Sequence, residues 1–272
     1  MKSTLQRIEE IKRTGYNLDL GDAINATFEN YKKIALLAGA VILLVSIVSI
    51  VVLGGFGVMI LGVGAVTESF TDLSKGIPLA GTALIANLII STIGYGLLAP
   101  VFAGIIQMAR NADINEDFDF GTAFTHYKSE HFKELFLGTA IITLAGSGVS
   151  TLVQVLSIES SASFIIVGSV IGWFISVLIP LFTIVMIPLI IFGKLNAIDA
   201  IKASFVIVSK NFWIILLLAI IFVIFTMLGL IAICIGIFFT LPIYYSMQYI
   251  IYKTALPIDE VNELDEIGES RF

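Results

Sequence analysis

Long apolar runs, set apart by short charged stretches, dominate the chain. A bilayer core of about 30 Å takes about 20 apolar residues of helix to cross. Five uncharged runs meet that length: 34–67, 77–109, 135–158, 160–193 and 211–252. The first holds one span and a glycine-rich exit (Gly54, Gly55, Gly57, Gly62, Gly64). The last has 42 residues, twice what one span needs, and reads as a helical hairpin turning near 229–236. The pattern therefore predicts an all-α, polytopic integral membrane protein with six transmembrane helices in three hairpins.

Charge placement orients these spans, because cytoplasmic loops retain Lys and Arg. Lys2, Arg7, Lys12, Arg13, Lys32 and Lys33 precede the first span. Arg110, Lys128 and Lys133 lie between the second and third, Lys194, Lys202 and Lys210 between the fourth and fifth, and Lys253 and Arg271 after the sixth. Of the 15 Lys and Arg, Lys75 alone falls on the other side. Both termini are thus expected in the cytoplasm, with the protein in the inner (plasma) membrane. Residues 1–20 are charged and lack an apolar core, so no cleavable signal peptide is expected and the first span serves for insertion.

The charged stretches resemble one another. Asp19-Leu20-Gly21-Asp22-Ala23-Ile24 aligns without gaps to Asp119-Phe120-Gly121-Thr122-Ala123-Phe124 and to Asn196-Ala197-Ile198-Asp199-Ala200-Ile201. Each starts with an Asp or Asn suited to accept from the free N–H groups of a helix start, and each is followed by an aromatic (Phe28, Tyr127, Phe205). In the third stretch Ile198, Ile201, Phe205, Val208 and Phe212 share one helical face. Each hairpin is therefore expected to follow an amphipathic interfacial helix. The expected division is a cytoplasmic segment 1–18, a single membrane domain 19–253 with repeat units 19–110, 119–193 and 196–253, and an acidic cytoplasmic tail 254–272. Proline recurs in the second span of each pair, as Pro100, as Pro180 with Pro188, and as Pro242, and these are candidate helix-break positions. Proline is also commoner in membrane helices than in soluble ones, which explains the same recurrence without any functional role.

The helix-then-hairpin plan, with its Asp-Ala-Ile copies at 22–28 and 199–205, resembles the six-span bacterial membrane proteins related to the membrane domain of glycerophosphodiester phosphodiesterases. It is also similar to bacterial proteins that carry the label beta-carotene monooxygenase. The resemblance implies the six-span fold and supplies no catalytic residues; the soluble phosphodiesterase barrel is absent.

Composition then narrows the chemistry. With 58% hydrophobic and 13% charged residues the chain is neither a soluble enzyme nor a nucleic-acid binder. The single cysteine, Cys234, excludes an intramolecular disulfide and any cysteine-based metal cluster. His126 and His131 lie beside Glu130 and Glu134, yet at helical spacing the two histidines point about 140° apart and do not converge on one ion. No histidine lies in a span, which argues against a non-haem iron oxygenase. Asp119-Phe120-Gly121 lacks every other kinase signature. Gly168 with Gly172, and Ala232 with Gly236, form small-residue steps that serve intramolecular packing or a dimer equally well.

The expected spans contain no Asp, Glu, Lys, Arg or His, the residues that mark the pathways of many ion transporters. Asn87, Tyr95 and Gln154 are the candidate interhelical or pathway polar residues, with Asn87 and Gln154 the strongest for bonds across helices. No catalytic, cofactor-binding or metal-binding residue is assigned, and no cofactor is expected. The acidic tail (Asp259, Glu260, Glu263, Asp265, Glu266, Glu269) reads as a solvating end. The leading expectation is a non-enzymatic scaffold or accessory subunit of a membrane assembly, partnered by the lipid bilayer and by a membrane protein or a second copy of itself. A carrier for a hydrophobic or lipid-like solute is the alternative, and a membrane enzyme using His126, Glu130 and His131 is third.

Overall fold

In a computed structural model the described residues are 3–74, 81–157, 162–231 and 235–257. Glu159, Ala232, Cys234, the 258–272 tail and the side chain of Gln154 lie outside them. The described residues are helical and contain no strand.

The first helix, α1 (Thr4–Thr14), opens on a reciprocal cap: Ser3 Oγ accepts from Gln6 N at 3.3 Å and Gln6 Oε1 accepts from Ser3 N at 2.9 Å. It ends at Gly15, whose φ of 76° suits a residue without a side chain. Next, α2 (Leu20–Ser74) runs unbroken from a charged start into the apolar run and departs from helical geometry only at Gly62 (φ 81°). The glycine-rich exit is thus helical for most of its length.

α3 (Gly81–Asp113) precedes a short 3-10 helix, η1 (Phe120–Tyr127), and α4 (Phe132–Ser157) follows. α5 (Ala162–Phe182) and α6 (Met186–Ile191) are separated by a break at 183–185. α7 (Ala197–Lys210) leads to α8 (Phe212–Ile231), then α9 (Gly236–Thr240) and α10 (Pro242–Ala255).

Five helical stretches are long and apolar enough to cross a membrane: Leu20–Met59, Ala83–Asp113, Phe132–Val153, Ile166–Ile191 and Phe212–Ile231. The return leg expected after α8 is not one continuous helix. It divides at Leu241, because Pro242 has no N–H to carry the ladder across and instead opens α10 at its first position. Pro100, by contrast, does not break its helix: α3 continues through it, since one proline removes one ladder bond and packed neighbours restore the local polar balance. The interruption in the fourth run falls between Pro180 and Pro188 rather than on either.

The three aligned stretches take three forms. The first is the start of α2 with no separate helix, the second is η1, and the third is α7. All three begin on the same cap, in which Asp19 Oδ1 accepts from Asp22 N at 2.9 Å, Asp119 Oδ1 from Thr122 N at 3.0 Å and Asn196 Oδ1 from Asp199 N at 2.9 Å. The apolar stripe read on α7 divides: Val208 is buried and Phe205 stacks on Phe182 with ring centroids 4.3 Å apart, while Ile198 is turned outward. Ile198 and Phe205 are exposed, while Ala197, Ala200, Ala203, Ser204, Ile207 and Val208 are buried. Small side chains at Ala197, Ala200, Ala203 and Ser204 allow the backbones to approach closely, with Ile207 and Val208 buried beside them.

Fully buried side chains, among them Ile105, Met108, Leu189, Ile207, Met247 and Tyr249, cluster toward the end of the bundle that carries the charged stretches. There the N-terminal helix meets the last one, with Arg7 Nη1 donating to the Pro257 carbonyl at 2.8 Å. The small-residue step at Gly168 and Gly172 is occupied within the chain, since both glycines face Val153 and Gly172 also faces Ser150 on α4.

Candidate functional site

Each aligned stretch reaches a hydroxyl to a backbone carbonyl close to a proline of another helix. Tyr127 Oη, at the end of η1, donates to the Leu97 carbonyl at 2.8 Å, three residues before Pro100. Tyr31 Oη, early in α2, donates to the Phe239 carbonyl at 3.0 Å, three residues before Pro242. On α7 the buried Ser204 Oγ donates to the Phe182 carbonyl at 2.8 Å and accepts from Val185 N at 3.3 Å, closing both ends of the break after Pro180. At the break between α5 and α6 the Phe182 carbonyl and Val185 N have lost the helical ladder, and buried orphans of this kind are costly, so Ser204 supplies their partner. The Tyr127 and Tyr31 bonds fall one residue past the carbonyls that Pro100 and Pro242 leave unpaired, and tie the stretches to the spans they touch: η1 lies on α3, α7 on α5 and α6, and α2 on α9 and α10.

The seat of η1 is especially tight. A side chain at Gly104 on α3 would collide with the backbone of Ala123, itself fully buried.

Between these held spans lies a groove of about 400 Å³. Tyr95 and Phe102 on α3, Thr139, Ile142, Thr143, Gly146 and Ser147 on α4, Ser176 and Pro180 on α5, Thr183 and Ile184 at the break, Met186 and Ile187 on α6, and Tyr244, Tyr245 and Gln248 on α10 line it. Tyr95, Ser147 and Pro180 stand exposed at its rim, while Thr183, Ile184, Met186 and Gln248 are buried at its floor. Phe102 and Tyr245 stack with ring centroids 5.7 Å apart. The lining carries no carboxylate, ammonium, guanidinium or imidazole.

Its hydroxyls differ in what they have left to give. Ser176 Oγ donates to the Trp173 carbonyl at 2.8 Å and Thr183 Oγ1 to the Ile179 carbonyl at 2.7 Å, each within its own helix. Thr139 Oγ1 is buried and has no partner. Such a cleft can hold an uncharged, mostly apolar molecule and offer it hydrogen bonds; it has no group able to act as a strong acid, base or metal ligand.

Of the polar residues marked in the sequence, Tyr95 belongs to this groove. Asn87 is exposed on α3 and makes no interhelical bond among the described residues. Pro100 lies just outside the lining, whereas Pro180 is part of it. Thr139, Ser204 and Gln248 were not marked, because a single hydroxyl or amide in an apolar run carries no signal until the helices around it are placed.

The two histidines occupy different elements, His126 at the end of η1 and His131 in the turn before α4, so helical spacing does not govern them. Their rings come to 6.3 Å between centroids. Burial, followed by the nearby charge of His131, lowers His126 to about 4. His126 Nε2 is buried without a partner, and Nδ1 lies 3.5 Å from Ser129 Oγ. Glu134, marked beside them, serves elsewhere: its Oε2 accepts from Ala197 N at 2.8 Å and so caps α7. Among the described residues no three His, Cys, Asp or Glu side chains converge to hold a metal ion.

At the charged end Asp113 accepts from Tyr249 Oη at 2.8 Å and from Lys253 Nζ at 2.5 Å. Lys33 Nζ donates to the Ala112 carbonyl at 2.8 Å and Asn30 Nδ2 to the Ala109 carbonyl at 2.6 Å. These bonds tie α2, α3 and α10 together and cap the α3 terminus. Comparison with family models, curated proteins and solved structures finds no match.

Proposed function

We propose that the chain is a non-enzymatic protein of the inner membrane that holds and moves a hydrophobic or lipid-like solute in the groove between its proline-bearing spans. The groove carries this reading: its lining is contributed by five helices, is free of ionic groups, and is polar enough to orient a mostly apolar molecule. Between the two non-enzymatic roles expected from the sequence, carrier and accessory subunit, the groove favours the carrier, because a scaffold has no use for a cleft of this size among its spans.

The wider arrangement belongs to the same proposal. Six spans form three hairpins, with α9 and α10 together making the sixth as a proline-broken helix. Both termini are cytoplasmic, and the three capped stretches are interfacial segments of a threefold repeat. The common caps, the recurring hydroxyl-to-proline-turn contacts and the gathering of the charged stretches at one end support it.

Native mass spectrometry of the protein extracted in mild detergent tests the reading. A reproducible lipid or small apolar molecule should accompany the chain and be lost from Gly146→Phe, a position where the groove leaves open space for a new side chain. A second polypeptide at fixed stoichiometry, with no small molecule, would return the function to an accessory subunit.

A further inference from the structure

We infer that the groove selects an uncharged lipid whose polar part is a hydroxyl or carbonyl, and excludes phosphate-bearing headgroups. This rests on the carrier reading above and adds the chemical class of the solute.

The depth of the lining is the first consideration. At 1.5 Å per helical residue, Thr139 lies about 10 Å and Ser147 about 22 Å along α4 from its start at Phe132, so the polar lining sits within the span and not at its charged end. A phosphate drawn to that level would be a buried charge facing hydroxyls, phenols and an amide, with no cation in the lining to pair it. A cationic headgroup would equally lack a carboxylate.

The second consideration is the unspent donor. Ser176 and Thr183 give their protons to their own helices, whereas the buried Thr139 Oγ1 has no partner. Its oxygen is sealed from the groove as it stands, so an acceptor oxygen completes it only when the occupant displaces the packing over it. Gln248, buried at the floor, already shares a hydrogen bond with Tyr244, and the rest of its amide can both donate and accept. A purely hydrocarbon occupant would leave Thr139 orphaned, and a hydroxyl or carbonyl oxygen satisfies it without importing charge.

Photo-crosslinking in vesicles tests this with two probes of identical diazirine-bearing acyl chains, a diacylglycerol and a phosphatidylglycerol. The diacylglycerol should label α4, α5 and α10 residues of the groove. Thr139→Val should weaken that labelling about five-fold, the equivalent of one hydrogen bond. Gly146→Leu, which fills open space, should abolish it, with unchanged thermal unfolding showing that each variant folds. Equal groove labelling by the phosphatidylglycerol probe would overturn the selectivity and leave the carrier reading intact. Groove labelling by neither probe above the level on the lipid-facing side of α8 would overturn both.

Discussion

Replacing Ser204 by alanine isolates the contact that holds the break between α5 and α6. The hydroxyl is fully buried and serves two backbone groups at once, the Phe182 carbonyl at 2.8 Å and Val185 N at 3.3 Å. Alanine fits the space and removes the one hydroxyl that both backbone groups bond. Each buried orphan costs about 1 to 3 kcal/mol, so the pair costs about 2 to 6 kcal/mol. Relaxation at the break, where the backbone is not held by a ladder, puts the expected loss in the lower half of that range. Ser209→Ala on the same helix is the control, because its hydroxyl is exposed and bonds only to the Phe205 carbonyl one turn back. It should stay within about 0.5 kcal/mol of the parent. Equilibrium unfolding in mixed micelles titrated with SDS gives the energies, and amide exchange at Val185 reads the freed N–H directly. A Ser204→Ala loss no larger than that of Ser209→Ala, with unchanged Val185 exchange, would refute the claim that this hydroxyl closes the break.

Gly104→Val places atoms where the Ala123 backbone lies; η1 should lift from α3, and faster amide exchange across 120–127 would show it. Lowering pH should destabilise the fold between about 6.5 and about 4, because His126 stays neutral when folded and binds a proton when unfolded. The slope should approach about 1.4 kcal/mol per pH unit at most, and His126→Gln should flatten that part of the profile. Gly168→Leu meets Val153 within the same chain, so it should weaken α4–α5 pairing in unfolding assays while leaving the mass measured by light scattering unchanged. Tyr249→Phe removes one bond to Asp113 and should cost about 1 kcal/mol in the same unfolding assay, leaving the Lys253 ion pair in place.

The helical, membrane-crossing character was legible because hydrophobic run length alone decides it. The three caps were legible too, since Asp19, Asp119 and Asn196 act on backbone groups three residues away, within reach of a sequence pattern. What lay beyond the sequence was everything that depends on which helices meet. The α7 stripe is periodic, but periodicity cannot say which of its members meet protein: Val208 is buried and Phe205 stacks on Phe182, whereas Ile198 is exposed, and the small residues Ala200 and Ser204 are buried as well. The histidines were placed 140° apart on the assumption of one helix, and a turn between η1 and α4 removed that premise. Asn87 ranked highly as a polar residue in an apolar run, yet exposure left it without a helix to bond. The groove takes a few residues from each of five helices, and none of those short sets forms a motif.

The contact between Tyr31 and Phe239 spans 208 residues, and that between Arg7 and Pro257 spans 250. A membrane chain is inserted in order, so the phenol of Tyr31 is in place long before its acceptor has been synthesised. Tyr31 therefore meets this acceptor only once α9 is made, after its neighbours Asn30 and Lys33 have α3 to bond, and the link from Arg7 to Pro257 closes only after α10. A nascent chain halted before α9 lacks the Phe239 carbonyl, and its Tyr31 phenol is left without that acceptor.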